Sequence, residues 1–309
     1  MEDTLSRSKT VILLAFLVVI WGVCWPVFKV ALYYTPPLLF GGMRNLVGGV
    51  FLAVLLLPRR RQIRWRQTWY IYGVAALFNS VLYYGAQSFG LGYLPAGLFC
   101  VIVYLQPVLV GIMAWMWLGE SMTFLKIIGL ILGFLGVAAV SSGGLSGYIS
   151  FTGVALAIIC SVGWASGTVW VKKTSGLVDA MWLVVMQSLI GGAVMTIAGL
   201  WLEDYFAIVW TPEYWFGLLY GGLLAIAASW VIYYKLVHYG EASKVAAYTF
   251  LVPLISVATG TFFLQEPFTF YLLVGLVLIV TSIYLVNRPA GAGGKKTSIP
   301  EGKAIQHRH

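Results

Sequence analysis

Ten long apolar runs follow one another along the 309-residue chain, with few charges inside any of them. A helix needs about 20 mostly apolar residues to cross the hydrocarbon core of a bilayer, and these runs reach or approach that length. The runs lack the period-two alternation of a membrane β-barrel wall. We therefore predict an all-α integral membrane protein with ten transmembrane helices, at residues 10–33, 37–57, 69–88, 96–118, 124–140, 151–171, 180–202, 214–236, 243–264 and 269–286.

Composition excludes a soluble domain, because only 9% of the residues are charged and 61% are hydrophobic. A soluble domain carries about 25% charged residues. The cysteines Cys24, Cys100 and Cys160 lie inside apolar runs, without the spacing of a disulfide framework or a zinc site. We predict no cofactor and no metal.

The basic residues predict the orientation of the chain in the membrane. If the N-terminus is cytoplasmic, all of the 19 Lys and Arg residues except Lys29 and Arg44 fall on the cytoplasmic side. We therefore predict a multi-pass protein of the plasma (inner) membrane with both termini inside. Anionic lipid headgroups account for the net charge of +9, so membrane lipids are expected partners and nucleic acid is not. The sequence is compatible with a monomer or a dimer.

The chain contains an internal repeat. Pro107 and Glu120 are 13 positions apart, and Pro253 and Glu266 repeat that spacing 146 positions later. A shift of 143 likewise aligns the sixth apolar run with the first. Because each copy holds an odd number of helices, the second copy must enter the membrane from the opposite face, which gives two inverted five-helix repeats around a central cavity. The predicted units are residues 1–145, residues 146–288 and a disordered cytoplasmic tail at 289–309.

Several motifs carry a resemblance to a known family. They are Trp21-Gly22 with Lys29 in helix 1, Arg44 in helix 2, the run GYLPAGLFCVIVYLQPVLVGIMAWMWLGE and its echo HYGEASKVAAYTFLVPLISVATGTFFLQE. On these pieces the chain resembles the EamA family of the drug/metabolite transporter superfamily over nearly its whole length, apart from the tail. The resemblance implies ten helices around a central cavity and transport of small metabolites, including amino acids.

Aromatic and polar residues at mid-membrane depth are the candidates for a binding site. Trp21 and Trp25 share one face of helix 1, and Trp164 and Thr168 occupy the same face of helix 6. Ordinary helix packing is the alternative explanation for each residue. Adjacent tyrosines point about 100° apart, so we expect only one of each Tyr-Tyr pair to face the cavity squarely. The predicted substrate-binding residues are Trp21, Trp25, Arg44, Asn79, Tyr83, Tyr84, Tyr104, Gln106, Trp164, Thr168, Tyr234 and Tyr248.

Charged residues at membrane depth are rare in this chain. An intramembrane arginine such as Arg44 is a functional candidate by default; it could pair with a substrate carboxylate or hold freed helix carbonyls. All ten acidic residues fall at helix ends, in loops or in tails. We expect Glu120 and Glu266 to tie turns to the N-terminus of the next helix. The missing central carboxylate argues against cation/proton exchange and favours neutral or zwitterionic cargo.

These features predict a secondary transporter, acting as an exporter by alternating access, either as a uniporter or as an exchanger. Aromatic walls favour aromatic or large neutral amino acids as cargo, and purines or cationic drugs are the alternative cargoes. A channel or lipid scramblase is the alternative from another class. A membrane-embedded enzyme is disfavoured because the sequence offers no clustered nucleophile, acid/base pair or metal site at membrane depth.

Overall fold

The computed structural model describes residues 6–90, 93, 99, 102–141, 150–264 and 270–288, which form helices and connecting turns without a strand among them. Five described helices are long and apolar enough to cross a membrane, and four shorter apolar helices accompany them. The protein is therefore an all-α integral membrane protein. Cys100, Glu266, the tail and the side chain of Lys29 lie outside the described residues.

We number the helical stretches α1 to α10 in chain order. The two short 3₁₀ segments are Leu57–Gln62 and Tyr205–Ala207. The bounds are α1 Arg7–Ala31, α2 Pro37–Leu56, α3 Trp65–Ala76 continued by Leu77–Gly85 and Ala86–Gly90, α4 Gln106–Leu118, α5 Phe124–Ser141, α6 Phe151–Thr174, α7 Ala180–Leu202, α8 Pro212–Leu219 continued by Tyr220–Ala228 and Ser229–Tyr239, α9 Ala242–Tyr248 followed by Leu251–Leu264, and α10 Phe270–Asn287. The predicted bounds of α7 agree with the structure at both ends.

Several helix ends are fixed by local chemistry that the sequence displays. The side chains of Ser150 and Thr211 accept hydrogen bonds from backbone N–H groups at the starts of α6 and α8. Asp179 accepts from two backbone N–H groups at the start of α7, each at 3.0 Å. These caps satisfy donors that a helix leaves unpaired in its first turn. Gly119 ends α4 with a φ of 69°, a left-handed conformation that glycine adopts without steric cost.

Two pairs of helix irregularities recur at equivalent places in the chain. The middle of α3, Leu77–Gly85, and the middle of α8, Tyr220–Ala228, are π-helical. The second segment lies 143 residues after the first, within one helical turn of the shift of 146 that aligns Tyr84 with Trp230. The turns before α4 and within α9 fall just ahead of Pro107 and Pro253, which have no N–H for the helix ladder. The proline breaks have a local cause in the sequence, whereas the π-helical turns do not.

The helices pair in a pattern that is the same for the two halves. Helix α2 packs against α7, and α5 packs against α10. Helix α1 packs against α9 and α8, while α6 packs against α4 and α3. Exchanging each helix of the first half for its equivalent in the second leaves this set of neighbours unchanged.

Glycines bring α2 and α7 into close contact. A Cβ on Gly49 would lie 2.9 Å from the Leu189 side chain, and a Cβ on Gly192 would lie 3.0 Å from the backbone nitrogen of Leu46. The two contacts are equivalent under the shift of 143 residues. Small residues of this kind allow helix backbones to approach in lipid, where packing rather than water exclusion drives helix association.

Glu120 joins the two halves at the end of the bundle that we predict to be cytoplasmic. Its carboxylate accepts from the Ala242 N–H at 2.6 Å and from the backbone N–H and hydroxyl of Ser243. Lys126, which is 3% exposed, lies 3.5 Å from Glu120 and 3.3 Å from Glu241. The sequence correctly predicted a helix cap but assigned the wrong helix. Glu120 caps α9 rather than the next helix, α5, because chain folding brings the α8–α9 turn beside the end of α4.

Candidate functional site

A cluster of buried aromatic rings occupies the place where α1, α3, α6 and α8 meet. Trp21 and Trp164 are equivalent under the repeat, and their ring centroids lie 5.5 Å apart at an interplanar angle of 83°. Trp230 lies 5.7 Å from Trp21, and Tyr83 lies 5.2 Å from Trp164. Edge-to-face arrangements of this kind are the favourable geometry for aromatic pairs. The two halves therefore meet through their aromatic side chains.

A small cavity of about 30 Å³ lies within this cluster. A volume of that size has room for a water molecule, whereas pockets that hold small-molecule ligands measure about 300 Å³ or more. The walls must therefore separate before an amino acid could enter. The lining residues are Trp21, Cys24, Trp25, Phe28, Tyr83, Tyr84, Gln87, Tyr104, Trp164, Ala225 and Trp230.

Half of the predicted site residues line the cavity. They are Trp21, Trp25, Tyr83, Tyr84, Tyr104 and Trp164. The expectation that only one residue of a Tyr-Tyr pair faces the cavity is wrong for Tyr83 and Tyr84, which both line it. These tyrosines lie in the π-helical segment of α3, where the angle between successive side chains is smaller than in an α-helix.

Two predicted residues, Asn79 and Tyr234, lie one layer behind the cavity in a hydrogen-bonded network. The Asn79 amide donates to the Tyr234 hydroxyl at 2.8 Å, and that hydroxyl donates to Gln187 Oε1 at 2.6 Å. The Ser80 hydroxyl donates to the backbone carbonyl of Gln187 at 3.1 Å. All four residues are buried, so the network joins α3, α7 and α8 behind the aromatic wall.

Three further predicted residues do not line the cavity. The Thr168 hydroxyl donates to the Trp164 carbonyl at 2.9 Å and lies 3.2 Å from the Tyr233 hydroxyl, which places it in the supporting layer. Gln106 is fully buried at the start of α4, and Tyr248 is half-buried at the break in α9. A helix rotation that the sequence did not predict turns these three side chains away from the cavity.

Arg44 lies directly behind the cavity wall. Its guanidinium carbon is 4.2 Å from the centre of the Phe28 ring and 4.6 Å from that of Tyr84. Its Nη2 donates to Gln87 Oε1 at 3.2 Å. Phe28, Tyr84 and Gln87 all line the cavity, so Arg44 is separated from the cavity by one layer of side chains.

The sequence interpretation missed several lining residues, including Trp230, Phe28 and Gln87. Each could have been predicted from its position relative to residues that were already candidates. Phe28 lies seven positions after Trp21 and three after Trp25, on the same face of α1. Gln87 lies one turn after Tyr83 and Tyr84. Trp230 aligns with Tyr84 under the shift of 146, and its indole N–H donates to the Tyr84 hydroxyl at 2.9 Å.

The indole N–H groups of the central tryptophans differ in their partners. The Trp21 N–H donates to the carbonyl of Ala225, within the π-helical segment of α8, at 3.1 Å. The Trp164 N–H is buried and has no hydrogen-bond partner within the described part of the chain. A buried indole N–H usually finds an acceptor. Trp164, which lines the cavity, therefore keeps an indole donor without a partner among the described residues.

The chemistry of the cavity is aromatic and amide-like rather than acidic. No carboxylate is among its lining residues. Among the residues that the structure describes, no cluster of His, Cys, Asp and Glu side chains could hold a metal ion. The arrangement is suited to non-covalent recognition of a flat or apolar group.

Comparison with known proteins identifies similar chains. The profile of the EamA-like transporter family matches the chain twice, at residues 8–142 and 151–288. The chain is 53% identical over 288 residues to the uncharacterized transporter YvbV of Bacillus subtilis, with 93% of this chain and 94% of that protein covered. It is 26% identical over 291 residues to the "Probable amino-acid metabolite efflux pump" of Escherichia coli, with 91% and 95% covered.

A solved crystal structure shares the fold. It superposes with a TM-score of 0.78 at 18% sequence identity and covers 91% of this chain and 97% of its own. At that identity the likeness concerns the fold alone. The family and the relatives are named as transporters and not as enzymes.

Proposed function

Because the chain belongs to the EamA-like transporter family, we propose that it exports aromatic or large neutral amino acids by alternating access, as a uniporter or an exchanger. The protein is a membrane transporter; its cargo and direction are the subject of the proposal. The observation that carries the proposal is the buried aromatic cavity between the two halves, with the free Trp164 N–H in its wall.

The proposed architecture is ten transmembrane helices in two inverted repeats, residues 1–145 and 146–288. The double family match supports two copies. The π-helical segments 143 residues apart and the equivalent helix neighbours support a common fold for the copies. Contacts between equivalent residues, such as Trp21 with Trp164, arise where a two-fold axis passes between them. An inverted repeat places this axis in the membrane plane, at the depth where such transporters bind their cargo.

The proposed location is the plasma (inner) membrane, with both termini cytoplasmic. A protease added outside intact cells should then leave an affinity tag on the C-terminus uncut, while the same protease should remove the tag in inside-out vesicles. Cleavage in intact cells would contradict the proposed orientation.

The small size of the cavity supports alternating access over a permanently open pore. Its volume of about 30 Å³ is too small for an amino acid, so cargo can bind only when helices of the two halves move apart. A channel or lipid scramblase would instead present a continuous path. Saturable counterflow of labelled cargo distinguishes a carrier from a channel.

The wall residues support an aromatic cargo. A flat ring gains about 0.5–1.5 kcal/mol beyond its buried area when it packs against tryptophan or tyrosine. The Trp164 N–H and the Gln87 amide supply hydrogen-bonding groups for the polar end of the molecule. The Escherichia coli relative is named a "Probable amino-acid metabolite efflux pump", and that name supports an amino-acid cargo for this chain. Purines also present a flat ring and are the second cargo class to test.

The proposal is tested by counterflow in proteoliposomes loaded with unlabelled L-phenylalanine, L-tryptophan, L-leucine or adenine. Saturable uptake of the labelled amino acid is the expected result. Trp164→Phe keeps a ring but removes the N–H, and we expect a several-fold rise in the half-saturating concentration. Trp115→Phe makes the same change at a site that is 55% exposed on the outer surface and should transport normally.

Two outcomes would contradict the proposal. Absence of counterflow for all of the loaded amino acids would refute the cargo assignment. Equal half-saturating concentrations for Trp164→Phe, Trp115→Phe and the unaltered protein would show that the free indole N–H has no part in binding.

A further inference from the structure

Arg44 is a buried cation without a carboxylate partner in the described part of the chain. It is 3% exposed, and its Nε has no hydrogen-bond partner among the described residues. The ion pairs that the structure shows there all involve Glu120 or Glu241, at the far end of α4 and the start of α9. Burying a charge without a counter-charge is costly, so a permanent structural role would call for an acidic neighbour.

The immediate surroundings of Arg44 belong to the cavity wall. The guanidinium packs over Phe28 and Tyr84, and the aromatic faces offset part of the charge. Both rings line the cavity, as does Gln87. The positive charge therefore lies one side chain from the cavity on the α1–α2–α3 side.

The hydrogen bond between Arg44 and Gln87 fixes the orientation of the Gln87 amide. A guanidinium has donors only, so the amide oxygen must face Arg44. The amide NH₂ is then the part of Gln87 that can serve a ligand. An acceptor-only group in the cavity would meet this NH₂, with the charge of Arg44 behind it strengthening the bond.

We propose that Arg44 and Gln87 form a carboxylate-recognition pair, so that the transporter takes aromatic molecules with a free carboxylate and rejects the corresponding amines. This inference rests on the proposed function and names the charge requirement of the same site. The carboxylate supplies the missing counter-charge of Arg44 only when cargo is bound. A cationic molecule would instead face the unpaired arginine across a low-dielectric wall and be repelled.

The test uses the full chain in lipid nanodiscs and four ligands of similar ring size: L-phenylalanine, 3-phenylpropionate, L-phenylalaninamide and 2-phenylethylamine. Binding is measured as the ligand-dependent rise in melting temperature and as inhibition of L-phenylalanine counterflow. We expect the two carboxylates to act at about tenfold lower concentration than the amide and the amine, because their charge interacts with a buried guanidinium.

Two substitutions separate recognition from folding. Arg44→Met should abolish the preference for carboxylates. Gln87→Glu places a permanent carboxylate 3.2 Å from the guanidinium, where Gln87 Oε1 now lies. That protein should melt at a higher temperature than the unaltered one, lose the carboxylate preference and bind 2-phenylethylamine at least as well as 3-phenylpropionate. A loss of selectivity together with higher stability cannot be attributed to unfolding.

The outcomes distinguish this inference from the proposed function. If the amine and the amide bind as well as the acid, or if Gln87→Glu retains the preference for carboxylates, the recognition pair is wrong, while aromatic transport still stands. If none of the four ligands raises the melting temperature or inhibits counterflow, and no amino acid gives counterflow, the proposed function and this inference both fail.

Discussion

The Glu120 carboxylate connects the two halves at one end of the bundle, so replacing it tests how much this connection contributes to stability. The perturbation is Glu120→Gln, which keeps the shape of the side chain and removes its charge. The glutamine retains one oxygen, which can still accept from the Ala242 N–H. Its NH₂ group would face the Ser243 N–H and the Lys126 ammonium, which are both donors.

The magnitude follows from the bonds that are lost. A hydrogen bond to a charged group contributes about 1.5–3 kcal/mol, and breaking a buried ion pair costs about 3–5 kcal/mol. Lys126 keeps Glu241 at 3.3 Å and the Ser121 carbonyl at 3.0 Å, so the cost should lie near the lower limit. We expect a loss of about 3 kcal/mol, or roughly 6 °C in melting temperature at about 2 °C per kcal/mol.

The assay is thermal unfolding in one detergent, followed by intrinsic fluorescence. Glu213→Gln is the matched control, because Glu213 is exposed in the first turn of α8. It should change the melting temperature by no more than about 2 °C, the scale of an interaction with the helix dipole. A shift for Glu120→Gln no larger than that of Glu213→Gln would refute the argument that this carboxylate joins the halves.

Three further predictions address packing, coupling and pH. Gly192→Ala should lower the melting temperature, because its Cβ would lie 3.0 Å from the backbone nitrogen of Leu46 and overpacking costs about 1–3 kcal/mol; Gly73→Ala, where a Cβ meets nothing within 4 Å, should be neutral or stabilising, and equal losses for both would contradict the packing account. Because no carboxylate lines the cavity, cargo flux down its own gradient should persist when a protonophore is added to proteoliposomes, and abolished flux would show obligatory proton coupling. Burial alone would raise the pKa of the Glu241 carboxyl, but hydrogen bonds and charge interactions with Lys244 and Lys126 outweigh it and lower the pKa below 4.5. A carboxyl whose pKa is lowered by folding stabilises the fold at pH values above its ordinary pKa, and that contribution is lost as the pH falls. The melting temperature should therefore drop between about pH 5 and pH 3 more steeply in the unaltered protein than in Glu241→Gln. Parallel curves for the two proteins would contradict this.

Local sequence signals located most of the helices. Apolar length is a property of each segment alone, so the runs were recognisable without knowledge of their neighbours. Caps such as Asp179 and breaks such as Pro253 act within a few residues, so they are also local features of the sequence. The π-helical segments of α3 and α8 were not predicted, because their wider turns depend on contacts with other helices rather than on a local residue type.

The sequence also did not reveal which residues far apart in the chain would hydrogen-bond to each other. The chemistry of Glu120 predicted a helix cap, but only the folded chain shows that the cap belongs to α9, 122 residues away. Likewise, Gln187 lies 143 positions after Arg44 and is its polar, uncharged equivalent in the repeat. Its bond to Tyr234 depends on how α7 and α8 pack. A side chain that can bond to many groups does not reveal which one folding will bring to it.

The sequence by itself determined the membrane class, the family motifs and the equivalence of Trp21 with Trp164. Only the tertiary structure decided the rotation of each helix, which brought Trp230 and Gln87 to the cavity and left Tyr248 outside it. The physical reason is that lipid rather than water surrounds the helices. Lipid is as apolar as the protein interior, so exposed positions such as Trp201, which is 87% exposed, look no different in sequence from buried ones such as Trp230. The pattern that tells inside from outside in a water-soluble helix is therefore absent, and packing alone sets which face turns inward.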